Sequence, residues 1–221
     1  ANRLSLIRSS SESQFVFSRT TATDLLVVVS DSLNRGGPEY DFSVSMNLLE
    51  PLEVTLPFSE QTQLVERGSK LFYQFSADRG TIISARLSLP EGSPMRPRLM
   101  LYRATDLRYV AQAYDQTFLE TYTGDGGIFL LEISDIIRGG GEGYDFQVTV
   151  DALPPEAITL PATIEDGLTQ VGVSRFYSVT LQEGELLSVS VEPDEGSAIE
   201  AELGWFVVDG FSRGTGTGGR M

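Results

Sequence analysis

An internal repeat at an offset of 104 residues constrains this chain more than any other feature. The segment VVVSDSLNRGGPEYDFSVSM (27–46) is echoed by LEISDIIRGGGEGYDFQVTV (131–150), and residues 24–104 lie on 128–208 without a gap. That alignment holds 24 identities in 81 positions, including Ser30/Ser134, Asp31/Asp135, Gly36/Gly140, Gly37/Gly141 and the Tyr-Asp-Phe runs at 40–42 and 144–146. Thr55-Leu56-Pro57 matches Thr159-Leu160-Pro161, Phe72-Tyr73 matches Phe176-Tyr177, and Gly80 matches Gly184. Self-similarity at this length means one folding unit used more than once.

A second match sets the phase. NRLSLIR (2–8) resembles PRLMLYR (97–103), and Leu99 already aligns with Leu203. The chain is therefore read as the C-terminal half of a repeat (1–51), a complete repeat (52–155) and the N-terminal half of another (156–221). The boundaries fall at Glu50-Pro51 and Pro154-Pro155, where proline interrupts the pattern just after a strand. The two halves are complementary. They are expected to close on each other within one chain, to pair between molecules, or to belong to a longer array.

Alternation with period 2 dominates. Tyr144, Phe146, Val148 and Val150 share one face of a strand, while Asp145, Gln147 and Thr149 share the other; Tyr40–Met46 repeats the pattern. Lys70–Gly80 followed by Ile82–Leu89 reads as a hairpin, with Phe176–Val179 and Leu186–Val191 as its counterpart. Within the complete repeat, strands are expected near 52–57, 70–77, 81–89, 98–103, 109–114, 117–122, 127–134 and 143–150. The longest helical candidate, Ser134–Arg138, is too short to matter. The expected class is all-β: tandem antiparallel β-sandwich or jelly-roll domains of about 104 residues.

The order of these motifs resembles the bacterial pre-peptidase C-terminal (PPC) domain. That family has an aromatic strand ending in Gly (Lys70–Gly80 here), a hydrophobic strand (Ile82–Leu89) and a Leu-x-Leu strand (Leu99-Met100-Leu101-Tyr102). A Gly-aromatic strand (Gly127–Leu131) and a closing Tyr-x-Phe-x-Val strand (Tyr144–Val148) follow. The resemblance implies a β-sandwich that accompanies secreted peptidases or cell-surface proteins. One departure concerns metal. Relatives can carry acidic residues at the Leu-x-Leu strand that contribute to calcium sites, whereas this chain has Arg98-Leu99-Met100-Leu101 and Arg3-Leu4-Ser5-Leu6.

Composition excludes several function classes. The net charge of −15 disfavours phosphate backbones and anionic membranes, so no nucleic-acid partner is expected. With no His and no Cys, imidazole-based triads and thiol chemistry are unavailable within this chain. No apolar run approaches the roughly 20 residues of a membrane-spanning helix. The opening residues lack a signal-peptide pattern, so any export signal lies outside the sequence.

Candidate chemistry is sparse. Asp31, Asp41, Asp135 and Asp145 recur in both copies, and calcium takes oxygen ligands, so a calcium site is one reading and turn chemistry the other. Tyr102, Tyr109, Tyr114 and Tyr122 are either a stacking face for a ligand or core residues. Trp205 aligns with Leu101 and reads as core. Acidic pairs such as Glu192/Asp194 and Glu200/Glu202 satisfy the composition of a glycosidase but not its setting. The glycine runs 139–143 and 214–219 lack a phosphate-loop context and read as loops.

No catalytic residue and no cofactor is expected, calcium at the recurring aspartates being the one candidate. The sequence points to a non-catalytic extracellular binding or spacer module of a larger secreted or cell-surface bacterial protein. Its expected partners are a protein or polysaccharide at the cell surface, or itself through sheet edges. The alternatives are a self-assembling surface-layer, fibre or adhesin repeat, and an accessory region of a secreted peptidase or glycosidase.

Overall fold

The computed structural model describes residues 27–31, 33–44, 50–168, 174–206 and 213–216, without the side chains of 205–206 and 213–216. The described residues contain strands and turns and no helix. None therefore forms a helix able to cross a membrane.

The complete repeat is a two-sheet sandwich. Its strands are β1 (Leu52–Glu53), β2 (Phe58–Gln63), β3 (Lys70–Ala77), β4 (Thr81–Ser88) and β5 (Pro97–Arg103). They continue with β6 (Arg108–Tyr114), β7 (Phe118–Thr123), β8 (Gly127–Asp135) and β9 (Asp145–Leu153). One sheet has the order β1-β3-β8-β5-β6, and the other β2-β9-β4-β7. Two four-stranded sheets built from interleaved Greek keys make a jelly roll, here with β1 added at one edge. All ladders in it are antiparallel except β1–β3, which is parallel.

The core follows from period-2 alternation. Tyr73 and Phe75 from β3, Leu99 and Leu101 from β5, and Phe129, Leu131 and Ile133 from β8 point inward from the first sheet. Ile83, Ala85 and Leu87 from β4, Leu119 from β7, and Phe146, Val148 and Val150 from β9 meet them from the second. The central strands are β8, between β3 and β5, and β9, between β2 and β4.

Seven of the eight expected strands lie where the pattern puts them. The eighth does not: 52–57 contributes only Leu52–Glu53, and the chain then turns through a cis Leu56-Pro57 bond into β2. Strand β2 escaped notice because its inward positions are Phe58, Glu60 and Thr62, which show no apolar alternation.

Beyond β9 the chain repeats its own opening. Strand β10 (Glu156–Ala157) pairs in parallel with β11 (Tyr177–Ser178) in the register Glu156↔Tyr177, which is Leu52↔Tyr73 displaced by 104. Ile158 N–H donates to Ser178 C=O as Val54 N–H does to Gln74 C=O. The turn closed by Ser93 N–H on Pro90 C=O recurs as Ser197 N–H on Asp194 C=O. A hairpin of β12 (Leu203–Phe206) and β13 (Arg213–Gly216) stands where β5 and β6 stand in the complete repeat, so this part of the 214–219 glycine run is strand, not loop.

Among the described residues, two expected strands do not form: Leu186–Val191 and the 40–44 part of Tyr40–Met46 run without ladder partners, although their equivalents are β4 and β9. In the complete repeat those two strands pair with each other. A strand holds only with a neighbour to satisfy its backbone groups, and here each sits in a different half. Residues 3–8, on which a pairing of the halves was expected to show, lie outside the described residues.

Candidate functional site

Directly opposed residues in an antiparallel ladder point to the same side, and this decides the placement of the four tyrosines. Arg98 faces Tyr114, Met100 faces Gln112, and Tyr102 faces Tyr109 across a bulge in β5–β6. Because Leu99 and Leu101 point inward, Tyr102, Tyr109 and Tyr114 all stand on the outer surface of the five-stranded sheet. Tyr109 and Tyr114 are about half exposed, and the Arg98 guanidinium lies 5.4 Å from the Tyr114 ring centre. Tyr122 is elsewhere: it opposes Ile82 on β7, on the outer side of the other sheet.

The same outer surface carries a feature that the sequence reading missed. Glu132, in the middle of β8, is buried although it points away from the core. It forms a 2.9 Å ion pair with Lys70, itself only 14% exposed, and its other oxygen lies 3.5 Å from the Tyr102 hydroxyl. Burying a charge is costly unless it is paired and hydrogen-bonded, and Lys70 and Tyr102 meet that need. The signal was available: Glu132 interrupts the apolar run Ile128–Ile133, and Lys70 is the only lysine in the chain. The arrangement is a tyrosine- and arginine-bearing sheet face anchored on a buried ion pair. Its exposed rings and guanidinium give it an amphipathic character.

The recurring aspartates organise turns. Asp135 is buried at the end of β8; its Oδ1 accepts the Arg96 N–H at 2.6 Å and its Oδ2 the Gly139 N–H at 2.7 Å. Asp31 Oδ2 accepts the Arg35 N–H at 2.9 Å, the same bond displaced by 104, as well as the Leu33 N–H. The Arg35 side chain adds a hydrogen bond to Asp31 and holds its carboxyl below the usual carboxylate range. Both turns place the third following residue, Asn34 or Arg138, at positive φ. Asp41 and Asp145 are exposed, the latter at the start of β9 opposite Gln63. Among the described residues, no group of three or more acidic side chains comes together in a way that would hold a metal ion. The side chain of Trp205 lies outside the described residues.

No family model and no curated protein matches the chain. Solved structures similar to part of it include these two. One is the pre-peptidase C-terminal domain of a collagenase from Bacillus anthracis, at 13% identity over 49% of this chain and 99% of that one, with a TM-score of 0.39. The other is PliG from Aeromonas hydrophila, a periplasmic inhibitor of g-type lysozyme, at 11% identity over 47% of this chain and 97% of that one, with a TM-score of 0.36. Strand order and register define the jelly roll.

Proposed function

We propose that the chain is a non-catalytic binding or spacer module, PPC-like, from an exported bacterial protein of the cell surface or envelope. The observation that carries this reading is the recurrence at 104 residues of turns and ladder registers, from Asp31/Asp135 to Ser93/Ser197. What recurs is scaffold: turns, edges and core positions. A repeated scaffold sets distance or multiplies attachment points, and its stability grows with each neighbour added.

The binding face is the outer side of β5–β6, with Tyr102, Tyr109, Tyr114 and Arg98, and its ligand is a polysaccharide or a protein partner. Co-sedimentation with insoluble peptidoglycan, chitin and cellulose tests this directly. Retention that is lost in a Tyr109→Ala/Tyr114→Ala variant supports a binding module, and no retention on any polymer supports a spacer. Turnover of peptide or glycoside substrates by the purified chain overturns the non-catalytic reading. A self-assembling repeat is the second reading, favoured by the exposed apolar faces of the half-repeats.

A further inference from the structure

The outer surface of the five-stranded sheet is closed at its middle and open at β6. Three rows of cross-strand neighbours run over it. At β8 they reach Ser134, Glu132 and Leu130, all buried; at β6 they end on Tyr114, Gln112 and Tyr109, all exposed. Strand β6 is also the last of its sheet: among the described residues it pairs with β5 alone.

The backbone of that edge has polar groups to offer. Asp115 N–H donates to Pro97 C=O. Hydrogen-bonded pairs in an antiparallel ladder alternate with pairs whose N–H and C=O groups face the other way. Ala113 and Ala111 therefore bond to β5, while the N–H and C=O of Gln112 and Tyr114 point away from it. The bulge at Val110 ends this regular stretch.

The sandwich has four edges, and the other three are poorly equipped to hold a ligand. Strand β1 is two residues long, β2 turns Ser59, Gln61 and Gln63 outward, and on β7 the Glu120 carboxylate is already paired with Arg86. Strand β6 sets exposed rings beside a cation. The Arg98 Nε–H goes to the Met100 sulfur at 3.0 Å, a weak acceptor, and its guanidinium meets no carboxylate among the described residues. Residues 96–114 hold Arg96, Arg98, Arg103 and Arg108 against Asp106 alone, in a chain of net charge −15. Local charge of this sign favours an acidic ligand.

The same residues favour a peptide over a sugar. The Arg98 guanidinium lies 5.4 Å from the centre of the Tyr114 ring and takes one of its faces from a stacking sugar. An extended peptide can instead bond the outward N–H and C=O groups and set every second side chain beside Gln112 and Tyr114. We propose that β6 accepts an extended acidic peptide of a partner protein as an added strand, with a peptide carboxylate on Arg98 beside Tyr114. The inference rests on the reading of this surface as the binding face and names its ligand class.

A displayed library of random linear peptides, panned against the immobilised full chain, supplies the probes. Fluorescence anisotropy of the selected peptides, made synthetically, measures their binding. The expected selection is rich in Asp and Glu. Gln112→Pro removes the N–H at the middle of the open edge and leaves the β5–β6 ladder its own bonds. It is expected to weaken binding about tenfold or more. Arg98→Gln is expected to cost acidic peptides up to about fivefold and to narrow their advantage over glutamine-for-glutamate versions. N-methylation tests the edge from the ligand side: one set of alternate residues abolishes binding when methylated, and the other set tolerates it. Unchanged thermal melts certify the variants, and the methyl scan needs no variant at all.

A selection without acidic bias, or one that enriches nothing, overturns the proposal. So do peptides that bind Gln112→Pro as they bind the wild type, or a methyl scan without alternation. A chain that fails these tests yet is retained on a polysaccharide through Tyr109 and Tyr114 remains a binding module with a sugar ligand, so the two readings fail separately.

Discussion

The Tyr73 hydroxyl donates a 3.0 Å hydrogen bond to Glu60 Oε2 and so joins the two sheets through the interior of the sandwich. Tyr73 is 2% exposed, and burial, reinforced by the neighbouring Glu60 carboxylate, pushes its phenol well above the ordinary tyrosine range. The aligned Tyr177 makes the corresponding bond to Asp166 at 2.6 Å, two positions further along, and that carboxylate pushes it up to about 12. Tyr73→Phe leaves Glu60 short of a donor, and the expected loss is about 1–3 kcal/mol of unfolding free energy. Tyr177→Phe, in an exposed half-repeat, is expected to change stability by less than about 0.5 kcal/mol. Urea melts of the two variants beside the wild type check the contrast; equal effects would contradict the burial argument.

Lys70 and Glu132 form a second pair whose parts are unequal when separated. Lys70→Met strands a buried carboxylate and is expected to destabilise by about 3–5 kcal/mol, whereas Lys70→Met/Glu132→Leu removes both charges and recovers most of the loss. Thermal melts of the single and double variants decide this. A double variant as unstable as the single one would show that the pair contributes through packing, not charge.

Legibility in the sequence followed burial. Strands β3, β4 and β9 alternate apolar and polar residues against the core and β8 carries an apolar run, and these patterns located all four within three residues. Strand β2 is an edge whose inward face holds Glu60 and Thr62, so hydrophobicity could not mark it. The tyrosine face was half visible: aromatic residues announce either core or surface, and only the register of β5 against β6 separates Tyr102, Tyr109 and Tyr114 from Leu99 and Leu101. Glu132 stood out as a charge within an apolar run, but its partner Lys70 is 62 residues away in sequence and only the β3–β8 ladder brings the two together. Strands at 40–44 and 186–191 were expected from their own periodicity. Periodicity describes a face, however, and a strand also needs a neighbour.

Acid should weaken the sandwich through a defined surface pair. Arg96 forms a bidentate ion pair with Asp115, 2.7 Å at its shortest, and this hydrogen bonding holds the Asp115 carboxyl below its ordinary value. A folded-state value lower than the unfolded one means the contribution is complete above the unfolded pKa of about 3.9 and is lost as pH falls through the lower folded value. Asp115→Asn is therefore expected to lower the melting temperature slightly at pH 7 and to leave it unchanged at pH 2. Half-molar salt should shrink the neutral-pH difference, because the pair is exposed. A difference that persists at pH 2 would assign the effect to something other than charge.

The recurring aspartates permit a last test, which sets turn chemistry against metal binding. Asp135 spends both oxygens on backbone N–H donors, from Arg96 and Gly139, and it is buried at the point where β8 turns toward the loop that covers Leu64. Asp135→Ala leaves two donors without an acceptor and is expected to cost about 2–4 kcal/mol. Asp135→Asn, which keeps one acceptor oxygen, should cost less. If turn geometry is the whole role, melting curves in calcium and in chelator coincide for the wild type and both variants. A calcium-dependent rise in the wild-type melting temperature that vanishes in Asp135→Asn would instead make the carboxylate a metal ligand, since losing a charged ligand weakens calcium binding.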